Sequence, residues 1–124
     1  TIVIQKLYSH RLNKDSELYF PKHRYKKFIK DVVIGTIERE ELIQNLINKE
    51  LKNDINENKT ELLVKLMIMA AIYEFMFMHK TPVKVIIAEY LKVSDSFTEH
   101  SQKKFLNAIL DKASKISRVT DITK

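Results

Sequence analysis

Cysteine is absent from the 124 residues, glycine occurs once and proline twice. Without cysteine neither a disulfide framework nor a thiolate metal site can form, a usage that fits a reducing cytoplasm. A single glycine excludes a phosphate-cradling loop and a dinucleotide-binding fingerprint, which both need several. So few turn formers leave little material for hairpins, and 44% hydrophobic residues at helical spacing indicate an all-α domain. The length suits one domain with its own core, so residues 1–124 are read as a single unit.

Long uninterrupted apolar runs are also missing. The most apolar stretch, Leu62 to Met78, contains Lys65 and Glu74 and falls short of the roughly 20 residues of a membrane span. It reads as a buried core helix, and no membrane partner is expected. Thr1 opens directly into an amphipathic pattern, without the basic, apolar, small-residue order of a signal peptide. Because a mature protein rarely begins inside a helix at threonine, residues before Thr1 are expected.

Catalytic constellations are lacking too. His10, His23, His79 and His100 never fall four residues from a second ligand, so the spacing offers no metal site. The serines and carboxylates form no recognisable triad. The reading is a non-enzyme with no cofactor and no small-molecule substrate.

What the chain has is positive charge, a formal +6 at pH 7, which favours acidic partners such as nucleic acid or an anionic membrane surface. Cations crowd the first thirty residues (Lys6, Arg11, Lys14, Lys22, Arg24, Lys26, Lys27, Lys30) and the last helix (Lys103, Lys104, Lys112, Lys115, Arg118). Between Glu38 and Glu61 the balance turns acidic. A two-signed surface suits a protein with one face for a polyanion and another for a second partner.

Helical periodicity places a first helix ending at Leu12, with Ile4, Leu7, Tyr8, Arg11 and Leu12 on one side. Tyr25, Phe28, Ile29, Val32 and Val33 form a second pattern, and Leu42, Ile43, Leu46 and Ile47 a third. Tyr25 and Ile43, Phe28 and Leu46, and Ile29 and Ile47 are each 18 residues apart, close to five turns at about 100° per residue. The stripe therefore keeps its phase across Gly35 and predicts one long helix over about 22–50. Mid-helix glycine costs roughly 1 kcal/mol against alanine; close approach of another helix is a reason to keep it. Thr60 is placed as the cap of a helix running to about His79, Thr81-Pro82 as the corner before a helix ending near Ser94, and Thr98 or a neighbour as the cap of the last helix. The residues after Val119 are expected to fray. Met67, Met69, Met76 and Met78 read as core filling rather than an adaptable groove.

Ile72-Tyr73-Glu74, the corner Thr81-Pro82-Val83-Lys84-Val85, Glu89, and Lys104-Phe105-Leu106-Asn107 through Leu110-Asp111-Lys112 resemble the NusB family of bacterial transcription antitermination factors. Val3-Ile4-Gln5-Lys6-Leu7-Tyr8 is similar to that family's first helix, so the resemblance covers nearly the whole chain. It implies a helical bundle of two packed three-helix groups. It also implies binding of the single-stranded boxA element of ribosomal RNA transcripts jointly with NusE, a small-subunit ribosomal protein, within the RNA polymerase antitermination complex.

Carried over residue by residue, the resemblance assigns Gln5, Tyr8, Phe97, Ser101, Lys103, Lys104 and Phe105 to the RNA. Lysines would neutralise phosphates and rings would stack on bases. It assigns Tyr8, Glu61 and Val64 to the NusE-facing side. Each has a plainer reading: the lysines as solvated charge, Phe105 as core, Tyr8 as a core-closing residue with its hydroxyl at the rim. On this view, groups from both ends of the chain converge on one exterior patch.

The departures fall on the partner surfaces. The family's arginine-rich segment would lie just before Val3 and is not in this sequence. Met69 stands for an arginine one turn before Tyr73-Glu74, Ala108 for a glycine, Ser101 and Val64 for acids found in some relatives. The stretch from Asn13 to Pro21 is short, so the family's small second helix is expected as a turn. Two other functions stay open: a protein-interaction bundle without RNA binding, and an accessory domain of an RNA methyltransferase.

Overall fold

The computed structural model describes residues 2–15, 17–55, 60–97 and 100–122, with the side chains at 100, 101 and 119–122 outside that description. The segment apolar on all sides becomes the axis. Helix α4 (Leu62–Phe77) buries every side chain from Leu66 to Phe75. A helix apolar all round cannot face water, so neighbours must cover each side. Around it lie α1 (Ile2–Leu12), α2 (Lys26–Glu38), α3 (Glu40–Glu50), α5 (Val83–Ser94) and α6 (His100–Ile122). The first three pack on one flank of α4 and the last two on the other, which gives the two three-helix groups.

The long helix predicted over 22–50 starts at Lys26 and is interrupted, not at Gly35 but at Arg39. Arg39 adopts φ −109°, ψ 20°, yet its N–H still reaches Gly35 O at 3.1 Å and Ile43 N–H reaches Arg39 O at 2.9 Å. The interruption is thus a local kink. It turns the Arg39 guanidinium over the Phe77 ring, 4.4 Å from its centroid, at the end of α4. Gly35 stays helical, and Tyr73 of α4 occupies the space where a side chain would stand, which is a reason for glycine at this position. Ile29, Val32, Val33, Ile43 and Ile47 are buried, but Tyr25, Phe28 and Leu42, read as part of the same stripe, are exposed.

Helix termini differ from expectation by a residue or two. Glu61, not Thr60, holds the N-cap of α4, and the helix ends at Phe77 rather than His79. Pro82 is itself the N-cap of α5, with extended geometry (φ −62°, ψ 146°), instead of the first helical residue. Its carbonyl accepts from Val85 and Ile86 N–H. The α5 end at Ser94 is as read, Thr98 lies outside the described residues, and α6 continues past Val119 to Ile122. Among the described residues no helix lies between Leu12 and Lys26. Met67 and Met69 are buried and Met76 and Met78 pack partly against the core, as filling.

The α4–α5 corner is locked from α6. Arg118 donates to Phe75 O (3.0 Å), Thr81 O (2.8 Å), Glu74 O (3.2 Å) and Met78 O (3.3 Å). Glu74 O and Met78 O also accept from the N–H groups of Met78 and Thr81, so the guanidinium adds to those bonds and supplies donors to Phe75 O and Thr81 O, with the sign of charge that a helix C-terminus favours. Lys112 reaches Asp54 at 2.6 Å and ties α6 to the connection after α3. No helix among the described residues is long and apolar enough to cross a membrane.

Candidate nucleic-acid interface

On α1, Ile4 and Leu7 turn into the core, which leaves Gln5 exposed and Tyr8 half-buried against that core. Tyr8 therefore closes the core and still shows an edge to solvent. Arg11, one turn on, pairs with Glu40 of α3 at 3.0 Å and sits 3.9 Å from the Met69 sulfur. The α1 surface that follows Tyr8 is consequently tied down by a cross-helix ion pair.

At the other end of the chain, α5 runs out in a turn where the N–H groups of Asp95, Ser96 and Phe97 bond to the carbonyls of Lys92, Val93 and Ser94. This turn fixes Phe97, half-buried against the core, and leaves Asp95 exposed. Lys103 on the opening of α6 pairs with Asp95 at 3.0 Å. Lys104 points to solvent, while Phe105 packs partly against the core with part of its surface open. The Ser101 side chain lies outside the described residues. Of the RNA-facing candidates, Gln5 and Lys104 are exposed, Tyr8, Phe97 and Phe105 offer partial ring surface, and Lys103 is engaged by an acid.

The partner-facing residues divide. Glu61 is exposed at the start of α4. Val64, one turn later, is 0% exposed within the core, so its side chain has no surface to offer a partner. A valine at a position facing the surrounding helices is pulled inward by the same burial that organises α4.

Between α1, α2 and α5 lies an open cavity of about 650 Å³ whose walls include Ile4, Tyr25, Phe28, Glu74, Glu89 and Tyr90. Ile2 and Val3 of α1 line it together with Val93 of α5, so the first turn of α1 and the last turn of α5 border the same space. Glu74 is buried and accepts a 2.5 Å hydrogen bond from the Tyr90 hydroxyl. Burial pushes its carboxyl up from 4.5 to about 7; the Tyr90 bond works the other way, and Glu89 adds to the rise. Burial also drives the Tyr90 phenol well above its ordinary 10, with the charge of Glu74 and the shared bond contributing.

Several features escaped the sequence reading. Glu74 was visible as an interruption of an apolar run and as part of the Ile72-Tyr73-Glu74 resemblance but not as a buried acid, and its partner Tyr90 lies 16 residues away on another helix. Arg118 looked like one more surface cation. Tyr19 and Tyr25 are exposed beside Lys6 and Arg24, although alternation of rings and cations over 19–26 was a usable signal.

Comparison with known proteins bears on this geometry. The model of the NusB family matches residues 2–115. A transcription antitermination protein NusB from Mesorhizobium japonicum is 26% identical over 105 residues, 85% of this chain and 68% of the relative. Its counterpart from Allorhizobium ampelinum is 26% identical over 119 residues, 94% of this chain and 73% of the relative. The solved structure of T. maritima NusB superposes with a TM-score of 0.77 at 23% identity, covering 92% of this chain and 86% of that one. This last likeness is one of fold.

Proposed function

Because the chain belongs to the NusB family, we propose that it is an RNA-binding transcription antitermination factor that works in the cytoplasm as a scaffold, as one domain and without catalysis. Gln5 and Tyr8 of α1, with Phe97, Ser101, Lys103, Lys104 and Phe105 around the start of α6, engage a boxA-type single-stranded RNA of ribosomal transcripts. A neighbouring helical face that includes Tyr8 and Glu61 docks NusE, and the pair joins the RNA polymerase antitermination complex.

The match over residues 2–115 carries this reading. The exposed cation Lys104 and the partly open rings of Tyr8, Phe97 and Phe105 supply the chemistry that a single strand needs, charge for phosphates and flat apolar surface for bases. Binding to a boxA-like RNA in the presence of NusE should exceed binding to a scrambled RNA of equal length. It should also weaken as salt rises, through loss of counterion release. Equal affinity for the two RNAs would overturn the proposal. Binding to NusE in nuclease-treated buffer without RNA affinity would instead favour a protein-interaction role.

A further inference from the structure

The connection from α1 into α2 presents groups that the fold does not use. Tyr19 is 73% exposed and Tyr25 58%. Lys6 lies over the Tyr19 ring, 5.8 Å from its centroid, and Arg24 over Tyr25 at 5.7 Å. Residues 18–30 hold five lysines and arginines and no acid. Among the described residues only Lys27 of these is ion-paired, with Asp31 at 2.9 Å. The core contribution of the segment comes from Leu18, Phe20 and Ile29 instead.

Apart from the Lys27–Asp31 pair, these cations do not serve local stability. Lys26 and Lys27 stand in the first turn of α2, which carries no acid, and like charge at the positive end of a helix is unfavourable. Tyr25 occupies the N-cap without a side-chain cap bond, so it is not there to finish the helix. Exposed rings interleaved with unpaired cations match a partner with alternating flat apolar faces and negative charges, which is what a single strand of RNA presents.

We propose that Tyr19 and Tyr25, with Lys6, Lys22, Arg24 and Lys26, form a second, sequence-tolerant contact surface for single-stranded RNA, the tyrosines stacking on bases and the cations holding phosphates. The proposal rests on the RNA-binding reading above and extends it beyond the residues named there. Lys6 lies about 200° around α1 from Tyr8, so this surface is not the one that Tyr8 borders. Its role is to hold RNA flanking a specifically read element.

The test uses a uridine oligomer of about 12 nucleotides, within the footprint of single-strand sites, and an RNA duplex of equal length. The protein should bind the single strand more tightly. Changing both Tyr19→Ala and Tyr25→Ala should weaken that binding at least about tenfold, while Tyr19→Phe with Tyr25→Phe should hold it within about twofold, since stacking is kept. Lys22→Glu with Arg24→Glu should reduce both affinity and its salt dependence. All these side chains are exposed, so unchanged thermal melting is the expected control. No binding to the uridine oligomer, equal binding of the duplex, unchanged affinity in the alanine pair, or tyrosine-dependent binding to phosphatidylserine vesicles in place of RNA would each overturn the proposal. Preference for boxA-like over scrambled RNA reports the earlier reading separately: preference retained while the alanine pair has no effect sinks this inference alone, and preference absent while uridine binding depends on the tyrosines sinks the other alone.

Discussion

The ring of Tyr73 lies directly on Gly35: a Cβ at that glycine would stand 2.2 Å from Cζ, 2.3 Å from the hydroxyl oxygen and 2.4 Å from Cε1. The ring cannot easily retreat, because Phe77 stacks beside it at 5.2 Å and the Arg39 guanidinium sits 5.8 Å from its centroid. Gly35→Ala gains up to about 1 kcal/mol of helix propensity but forces overpacking that costs roughly 1–3 kcal/mol. Net destabilisation is expected in urea unfolding. In a Tyr73→Ala background the same substitution should become neutral or stabilising, because the obstacle is gone. A stabilising Gly35→Ala in the otherwise unchanged protein would show that the two residues do not constrain each other.

The same pair explains how much of the fold was legible. The phase of the apolar stripe carried the helix correctly through Gly35, and the total apolarity of Leu66 to Phe75 identified the central element. Periodicity reports which side of a helix faces the core, so it holds wherever one side is dry. It failed at Tyr25, Phe28 and Leu42, which continue the pattern yet are exposed. The kink at Arg39 was not legible, since it serves a ring on α4 that only tertiary packing brings near.

Arg118 should prove the most costly cation to remove. Its guanidinium donates to four carbonyls around the α4–α5 corner, two of which, Glu74 O and Met78 O, also accept from backbone N–H groups, and a planar fork is the side-chain geometry that can reach them together. Arg118→Ala is expected to destabilise by roughly 2–3 kcal/mol, from lost charged hydrogen bonds and stranded acceptors. Arg118→Lys should recover only part of this, because a point-like ammonium cannot reach all four. Equal stability of the lysine variant and the parent would contradict the fork argument.

Asp95 restrains Lys103. The pair is 3.0 Å apart and partly exposed, so it adds little to stability, about 0–1 kcal/mol at most. Asp95→Asn should leave thermal melting nearly unchanged and free the cation for phosphate. If Lys103 contacts RNA, affinity for the boxA-like RNA rises a few-fold and the salt dependence steepens by about one counterion. Unchanged affinity and slope would remove Lys103 from the interface.

For the candidate site, legibility followed chemistry that is local in sequence. The run Lys103-Lys104-Phe105 and the alternation around Tyr19 to Lys26 can be seen by eye. Whether a given member faces water cannot: Val64 looked like a surface position and is fully buried, while Tyr25 looked like core and is exposed. A side chain on an amphipathic helix near the edge of its stripe goes in or out according to which neighbour covers it. That neighbour is a tertiary fact.

Glu74 gives the chain a pH dependence of unusual sign. Its carboxyl is raised by burial from 4.5 to about 7, so between those values the folded state holds the proton more tightly than the unfolded chain. The resulting stability is fully present below about pH 4.5 and is lost as pH rises to 7, levelling off above, with an amplitude on the order of 3 kcal/mol. The difference between the parent and Glu74→Gln isolates this contribution and is the informative curve. The glutamine still offers an acceptor to Tyr90 but carries no charge. It should match the parent near pH 4 and exceed it in stability at about pH 8. Tyr90→Phe should do the opposite, since it removes the bond that holds the Glu74 carboxyl down, and should extend the sloping region upward in pH. A stability difference between the parent and Glu74→Gln that stays constant from pH 4 to 8 would show that the carboxyl titrates alike in the folded and unfolded chain.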